Sequence, residues 1–246
     1  MIEAQAYGRA HNIHFVYYCL LSGQDYPLRA VSEINEELFE NYPKPYIDCT
    51  PCAEGNWIFR GSKHSIFYVR TRGLLNRKLS NYRTIRGVLK LLAKLINNVI
   101  CRCSNTRKVL ELRGVKLFGG SEWWILPDNM VDLIVDVHNK MSKKSKYYPL
   151  YFVLTPDECY YQSVLMNSCF SSRIKVNPPM MIEQNCKTYA HFNPEGKVFT
   201  GHPYVFTMAD KDLLKKLSTE KFFARKFDET VDREILCWVD ELGDKE

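Results

Sequence analysis

His14-Phe15-Val16-Tyr17-Tyr18-Cys19-Leu20-Leu21 is an apolar, aromatic-rich run that stops at Ser22-Gly23. Its length and β-branched and aromatic content predict a strand buried on both faces, as in a parallel sheet. Downstream, Ser32 predicts a helix N-cap, with the helix running through about Glu40, and Tyr42-Pro43-Lys44-Pro45 breaks regular structure. Ile66-Phe67-Tyr68-Val69 reads as another strand. From Thr84 to Cys101, apolar residues recur at helical spacing, with Arg86, Lys90 and Lys94 on the opposite side. A helix from Asp128 to Lys140 is predicted to carry Val131, Ile134, Val135 and His138 on one face. Further helices are predicted from Pro156 to about Asn167, Asp210 to Leu217 and Val231 to Leu242. Strands mixed with helices, and no repeat or low-complexity tract, predict one α/β domain spanning residues 1–246.

The 246 residues, 46% hydrophobic and 25% charged, can bury a core, and no apolar run reaches the 18 residues that would suggest a membrane span. The first residues lack the basic and apolar regions of a signal peptide, and no Asn-x-Ser/Thr acceptor occurs. Nine scattered cysteines include two close pairs, Cys49/Cys52 and Cys101/Cys103, without histidines at zinc-site spacing. They read as reduced core residues, which favours a cytoplasmic setting. Charge is unevenly distributed. Of 34 Lys/Arg and 28 Asp/Glu, 15 cations but a single acid, Glu111, lie between Arg60 and Lys116.

Four strings stand out for their chemistry. They are Leu20-Leu21-Ser22-Gly23-Gln24-Asp25-Tyr26-Pro27-Leu28, Gly119-Gly120-Ser121-Glu122-Trp123-Trp124, Thr155-Pro156-Asp157-Glu158-Cys159-Tyr160-Tyr161 and Phe222-Phe223-Ala224-Arg225-Lys226-Phe227-Asp228. By these strings, in this order, the chain resembles the core-2/I-branching family of glycosyltransferases, which contains β-1,6-N-acetylglucosaminyltransferases and peptide O-xylosyltransferases. The resemblance implies a GT-A-like, Rossmann-like α/β fold and an inverting transfer from a UDP-sugar, with N-acetylglucosamine as the expected donor sugar and xylose as the alternative. The acceptor is expected to be a hydroxyl of a glycan or lipid-linked glycan. The alternative from another class is a truncated, catalytically inactive remnant that binds glycan or membrane.

Such a transfer needs a base for the acceptor proton and positive charge for the departing diphosphate. No Asp-x-Asp follows a predicted strand, and Asp210-Lys211-Asp212 lies at a helix start. The resemblance therefore implies a reaction without divalent metal or other cofactor, Lys226 binding the diphosphate. Arg225 is its neighbour, of unsettled role. Where the animal branching enzymes place an assisting Arg, this chain has His202-Pro203, so His202 is a second nucleotide-binding candidate only as a donor. The resemblance makes Glu158 the base. Thr155, Pro156 and the acids also suit a helix start, with Asp157 serving the helix. Glu122, Trp123 and Trp124 are candidates for the sugar site, one Trp stacking on a pyranose ring, although adjacent tryptophans are by default core. Asp25 lies at the carboxyl end of a predicted strand, where ligands collect in open α/β sheets. A turn-capping role before Pro27 is equally open.

In the family, several βα units that hold the nucleotide precede the first string. About twenty residues do so here, so the chain is expected to be N-terminally incomplete and by itself to bind UDP poorly. The basic segment 70–108 is read first as a surface helix covering the core. A peripheral contact with anionic lipid is the second reading, and no nucleic-acid recognition motif accompanies it. If the source is eukaryotic, the resemblance implies the Golgi lumen.

Overall fold

The computed structural model describes residues 2–52, 106–153, 156–177, 185–192 and 202–243. The strand expected at 66–69, the helix at 84–101, Cys101, Cys103, Thr155 and most of the basic 70–108 segment lie outside the described residues. The described residues form a mixed α/β fold of small sheets. In chain order the regular elements are α1 (Ile2–His11), β1 (Tyr17–Cys19), β2 (Asp25–Pro27), α2 (Val31–Glu40), β3 (Tyr46–Ile47), β4 (Thr50–Pro51), α3 (Thr106–Leu112) and β5 (Phe118–Gly119). They continue with β6 (Trp124–Pro127), α4 (Asp128–Asn139), α5 (Tyr160–Met166), β7 (Thr188–Ala190), α6 (Lys211–Leu217), β8 (Phe223–Arg225) and α7 (Glu234–Gly243).

The run around Tyr17 does make a strand, but its setting differs from the one expected. β1 lies at the edge of a sheet ordered β1-β6-β3, pairs antiparallel with β6, and leaves Cys19 exposed. The central place goes to β6, whose four residues are all buried and which pairs antiparallel on both sides. A central strand shields both of its faces, so the continuous apolar run Trp124-Ile125-Leu126 fits there, whereas the tyrosines of β1 keep their hydroxyls near water. The second sheet, β2-β8-β7, pairs β2 with β8 antiparallel and β7 with β8 parallel. β4 and β5 form a short ribbon.

Helix periodicity reads well. α4 buries Met130, Val131, Ile134 and Val135 against β6 and α5, although His138 is exposed. α2 buries Ile34 and Leu38, but it starts at Val31 with no side-chain cap, so Ser32 sits inside its first turn. Arg29 holds that end instead, its guanidinium 3.3 Å from Glu33 and 2.6 Å from Glu37. The helix expected from Pro156 to Asn167 is divided. A 3-10 turn, Pro156–Glu158, precedes α5, and Cys159 between them leaves helical geometry.

Three hydrophobic clusters hold these parts together. The largest packs β6, α4 and α5 with Leu110, Leu117, Cys49, Cys52 and Cys159. A second joins Leu28, Phe206, Phe227, Ile235 and Val239 around β8. Ile34, Leu38, Tyr46, Ile125 and Phe222 form the third, which links the two sheets. Cys49, Cys52, Cys159 and Cys186 are buried. Among the described residues no helix is long and apolar enough to cross a membrane.

Candidate functional site

β2 and β8 run antiparallel with Asp25 directly opposite Arg225, so pairing alone sets an anion beside a cation. The turn before β2 then wraps the carboxylate. Asp25 Oδ2 accepts from the Ser22 amide at 2.6 Å and from the Trp123 indole Nε1 at 2.8 Å, while Oδ1 accepts from the Ser22 hydroxyl at 2.8 Å. Arg225 Nη1 stands 3.5 Å from Oδ1, and the Asp25 side chain is wholly enclosed. The guanidinium lies 4.0 Å over the Trp123 ring, close enough for a cation–π contact. A desolvated carboxylate persists only when its lone pairs are used, and here four groups use them. Asp25 is thus a scaffold residue that also caps its turn. Arg225 is held rigid, with 13% of its side chain exposed.

The second wall is acidic. β5 ends at Gly119, and the Gly120 amide donates to the Glu158 carbonyl at 2.9 Å. A Cβ on Gly120 would meet the Asp48 carbonyl oxygen at 2.0 Å, so backbone proximity dictates glycine here. Gln162 Nε2 donates to the Ser121 carbonyl at 2.9 Å, tying α5 to the same loop. These bonds set Glu122 beside the 3-10 turn, where its carboxyl shares a hydrogen bond with Asp157. Burial first, then that bond and the Asp157 charge, push Glu122 up to about 7; Arg225 pulls it down and Glu158 adds to the rise. A carboxyl in this state holds a proton near neutral pH. The structure therefore joins Glu122, Asp157, Glu158 and Arg225 in one electrostatic unit. In sequence Asp157 reads as a helix-start acid; adjacent acids in a first turn give no sign of the facing Glu122.

Lys226 follows Arg225 and is gripped through its backbone. Its amide donates to the Tyr204 carbonyl at 3.2 Å, and its carbonyl accepts from Phe206 at 2.9 Å. Its ammonium is half-buried and, among the described residues, has no hydrogen-bond or ion-pair partner, although its field lowers the exposed Asp228 carboxyl, whose main causes are hydrogen bonds from Thr230. His202 is exposed, two residues before the segment that holds Lys226. Trp123 keeps 9% of its surface and Trp124 3%. Trp124 is a core residue of β6 with its ring 5.1 Å from Tyr161, and one face of Trp123 is occupied by Arg225. Neither ring lies open to a sugar in the way a free platform would. Carboxylates on one side and the fixed Arg225 cation on the other can move a proton and hold an anionic leaving group.

No family model matches the chain. It is 30% identical over 133 residues to xylosyltransferase 2 of Homo sapiens and of Pan troglodytes, and likewise to that of Rattus norvegicus. The match takes in 52% of this chain but 15% of each relative, so the chain spans a small part of the curated proteins it resembles. This supports a glycosyltransferase relationship, and the mixed α/β fold is compatible with it.

Proposed function

We propose that the chain carries the catalytic part of a glycosyltransferase of GT-A-like fold that moves a sugar from a UDP-sugar to a hydroxyl with inversion. The observation that supports this reading is that Asp25, Glu122, Asp157, Glu158 and Arg225, drawn from all four strings, lie within one electrostatic cluster, with Lys226 next to Arg225 in the chain. Glu158 takes the acceptor proton as the hydroxyl oxygen bonds to the anomeric carbon and the bond to the diphosphate breaks. One carboxylate suffices, because a single displacement needs no enzyme nucleophile. Lys226 receives the negative charge that develops on UDP, and Arg225, fixed by Asp25 and Trp123, adds a preorganised field beside it. Two fixed cations can supply the positive charge that a divalent metal supplies elsewhere. Glu122 stands beside Asp157 as a donor or acceptor to a sugar hydroxyl.

The likeness to xylosyltransferase 2 favours xylose over N-acetylglucosamine as the donor sugar, a change from the expectation drawn from the motifs. The acceptor is then a hydroxyl of a glycan or of a polypeptide. UDP release from a panel of UDP-sugars, with and without EDTA, tests donor and metal together. Turnover of UDP-xylose undiminished by EDTA is expected. Strict dependence on manganese, or release from no member of the panel with any hydroxyl acceptor, counts against the reading.

A further inference from the structure

A second cavity, of about 680 Å³, lies between β3, β7, α6 and the segment 173–175. None of its lining residues belongs to the cluster described above. Five cations line it: Lys44, Arg173, Lys175, Lys187 and Lys221, against a single lining carboxylate, Glu220. These are not five solvated surface charges. Lys221 is 8% exposed and its ammonium donates to the Cys186 carbonyl at 2.7 Å. Lys187 sits 4.5 Å over the Phe222 ring and 2.7 Å from Glu37, a carboxylate it shares with Arg29. Lys44 lies 5.2 Å over Tyr46 and Arg173 lies 5.3 Å over Phe170. Carbonyl dipoles and aromatic faces orient most of these cations without neutralising them, and Glu37, shared with Arg29, offsets only part of the Lys187 charge.

Tyr46, in the wall of the same cavity, is 3% exposed, and its hydroxyl finds no hydrogen-bonding partner among the described residues. A buried hydroxyl left unpaired costs free energy, as does holding like charges around a partly desolvated space. An anionic ligand relieves the second of these costs. We infer that this cavity binds a small molecule carrying two or more phosphate or sulfate groups, its oxygens meeting the lysines. The volume suits a ligand of disaccharide or nucleotide size, and Tyr46, Ile174 and Leu217 supply an apolar wall for its body.

The test is calorimetric titration at low salt with pyrophosphate, a disulfated disaccharide and an uncharged disaccharide. Protein carrying Lys226→Ala is used, so that binding at the diphosphate site does not confuse the result. One equivalent of either anionic probe should bind, and the uncharged sugar should not. Lys44→Ala with Lys175→Ala, both at exposed positions, should weaken that binding about ten-fold or more. In protein that retains Lys226, replacing the Lys44/Lys175 pair should leave UDP release unchanged. Preference for pyrophosphate or for the sulfated sugar identifies which ester is bound. Absence of binding by both, or binding indifferent to the Lys44/Lys175 pair, overturns the inference.

Discussion

The two walls of the candidate site are built by opposite means. On the β2–β8 side, opposite charges are laid together by strand register, and Asp25 spends its carboxylate on Ser22, Trp123 and Arg225. On the β5–α5 side, like charges are crowded, and Glu122 answers by holding a proton against Asp157. The first wall is stable because its charges cancel; the second is poised because its charges do not. Fixed positive potential is needed where a leaving group departs, and a group that gains or loses a proton is needed where a hydroxyl attacks. Arg225 is committed to the fold, whereas its chain neighbour Lys226 has no hydrogen-bond or ion-pair partner for its ammonium among the described residues.

The contrast can be broken most severely at Asp25. Asp25→Ala leaves Arg225 enclosed without its anion, and a loss of about 3–5 kcal/mol in urea unfolding is expected. Gly120→Ala attacks the other wall. Its Cβ would fall 2.0 Å from the Asp48 carbonyl, backbone against backbone. The expected cost is about 3 kcal/mol, at the upper end of overpacking, by the same measurement. Trp123→Phe sharpens the comparison, because the ring face stays under Arg225 while the indole donor to Asp25 is lost. About 1.5 kcal/mol should disappear, with little change in unfolding slope.

The smallest effect is the most specific. Glu122 has its folded pKa near 7, above its ordinary 4.5, so the folded chain binds more protons between those values. Its contribution to stability therefore falls as pH rises from about 4.5 to about 7 and is fully lost above that. Glu122→Gln should flatten this part of the pH–stability profile and gain on the parent above pH 7. An unchanged profile would mean that Glu122 titrates as an ordinary carboxyl.

Much of this was legible in the chain because motifs and helix stripes are local. The spacing of Val131, Ile134 and Val135 placed α4, and the four strings contain Asp25, Glu122, Asp157 and Arg225, which lie together in the fold. What stayed hidden depended on partners distant in sequence. The run ending at Leu21 could not reveal that β6 would take the central place and leave β1 an edge. Asp25 could be a ligand or a cap until Arg225 was seen opposite it. Adjacent tryptophans on a strand should have pointed to opposite faces, one of them outward, yet Arg225 covers Trp123 and the core takes Trp124. The break at Cys159 likewise comes from tertiary contact, the Gly120 bond to the Glu158 carbonyl, against a sequence that continues as helix.

The central claim is that the acidic wall moves the proton and the cationic wall holds the diphosphate. Glu158→Gln separates them in one experiment, with UDP-xylose turnover and UDP affinity measured on the same preparation. Turnover should fall about 10²–10⁴-fold while UDP affinity stays within about two-fold of the parent. Turnover at the parental rate, or a loss of UDP affinity as large as the loss of rate, would contradict the account.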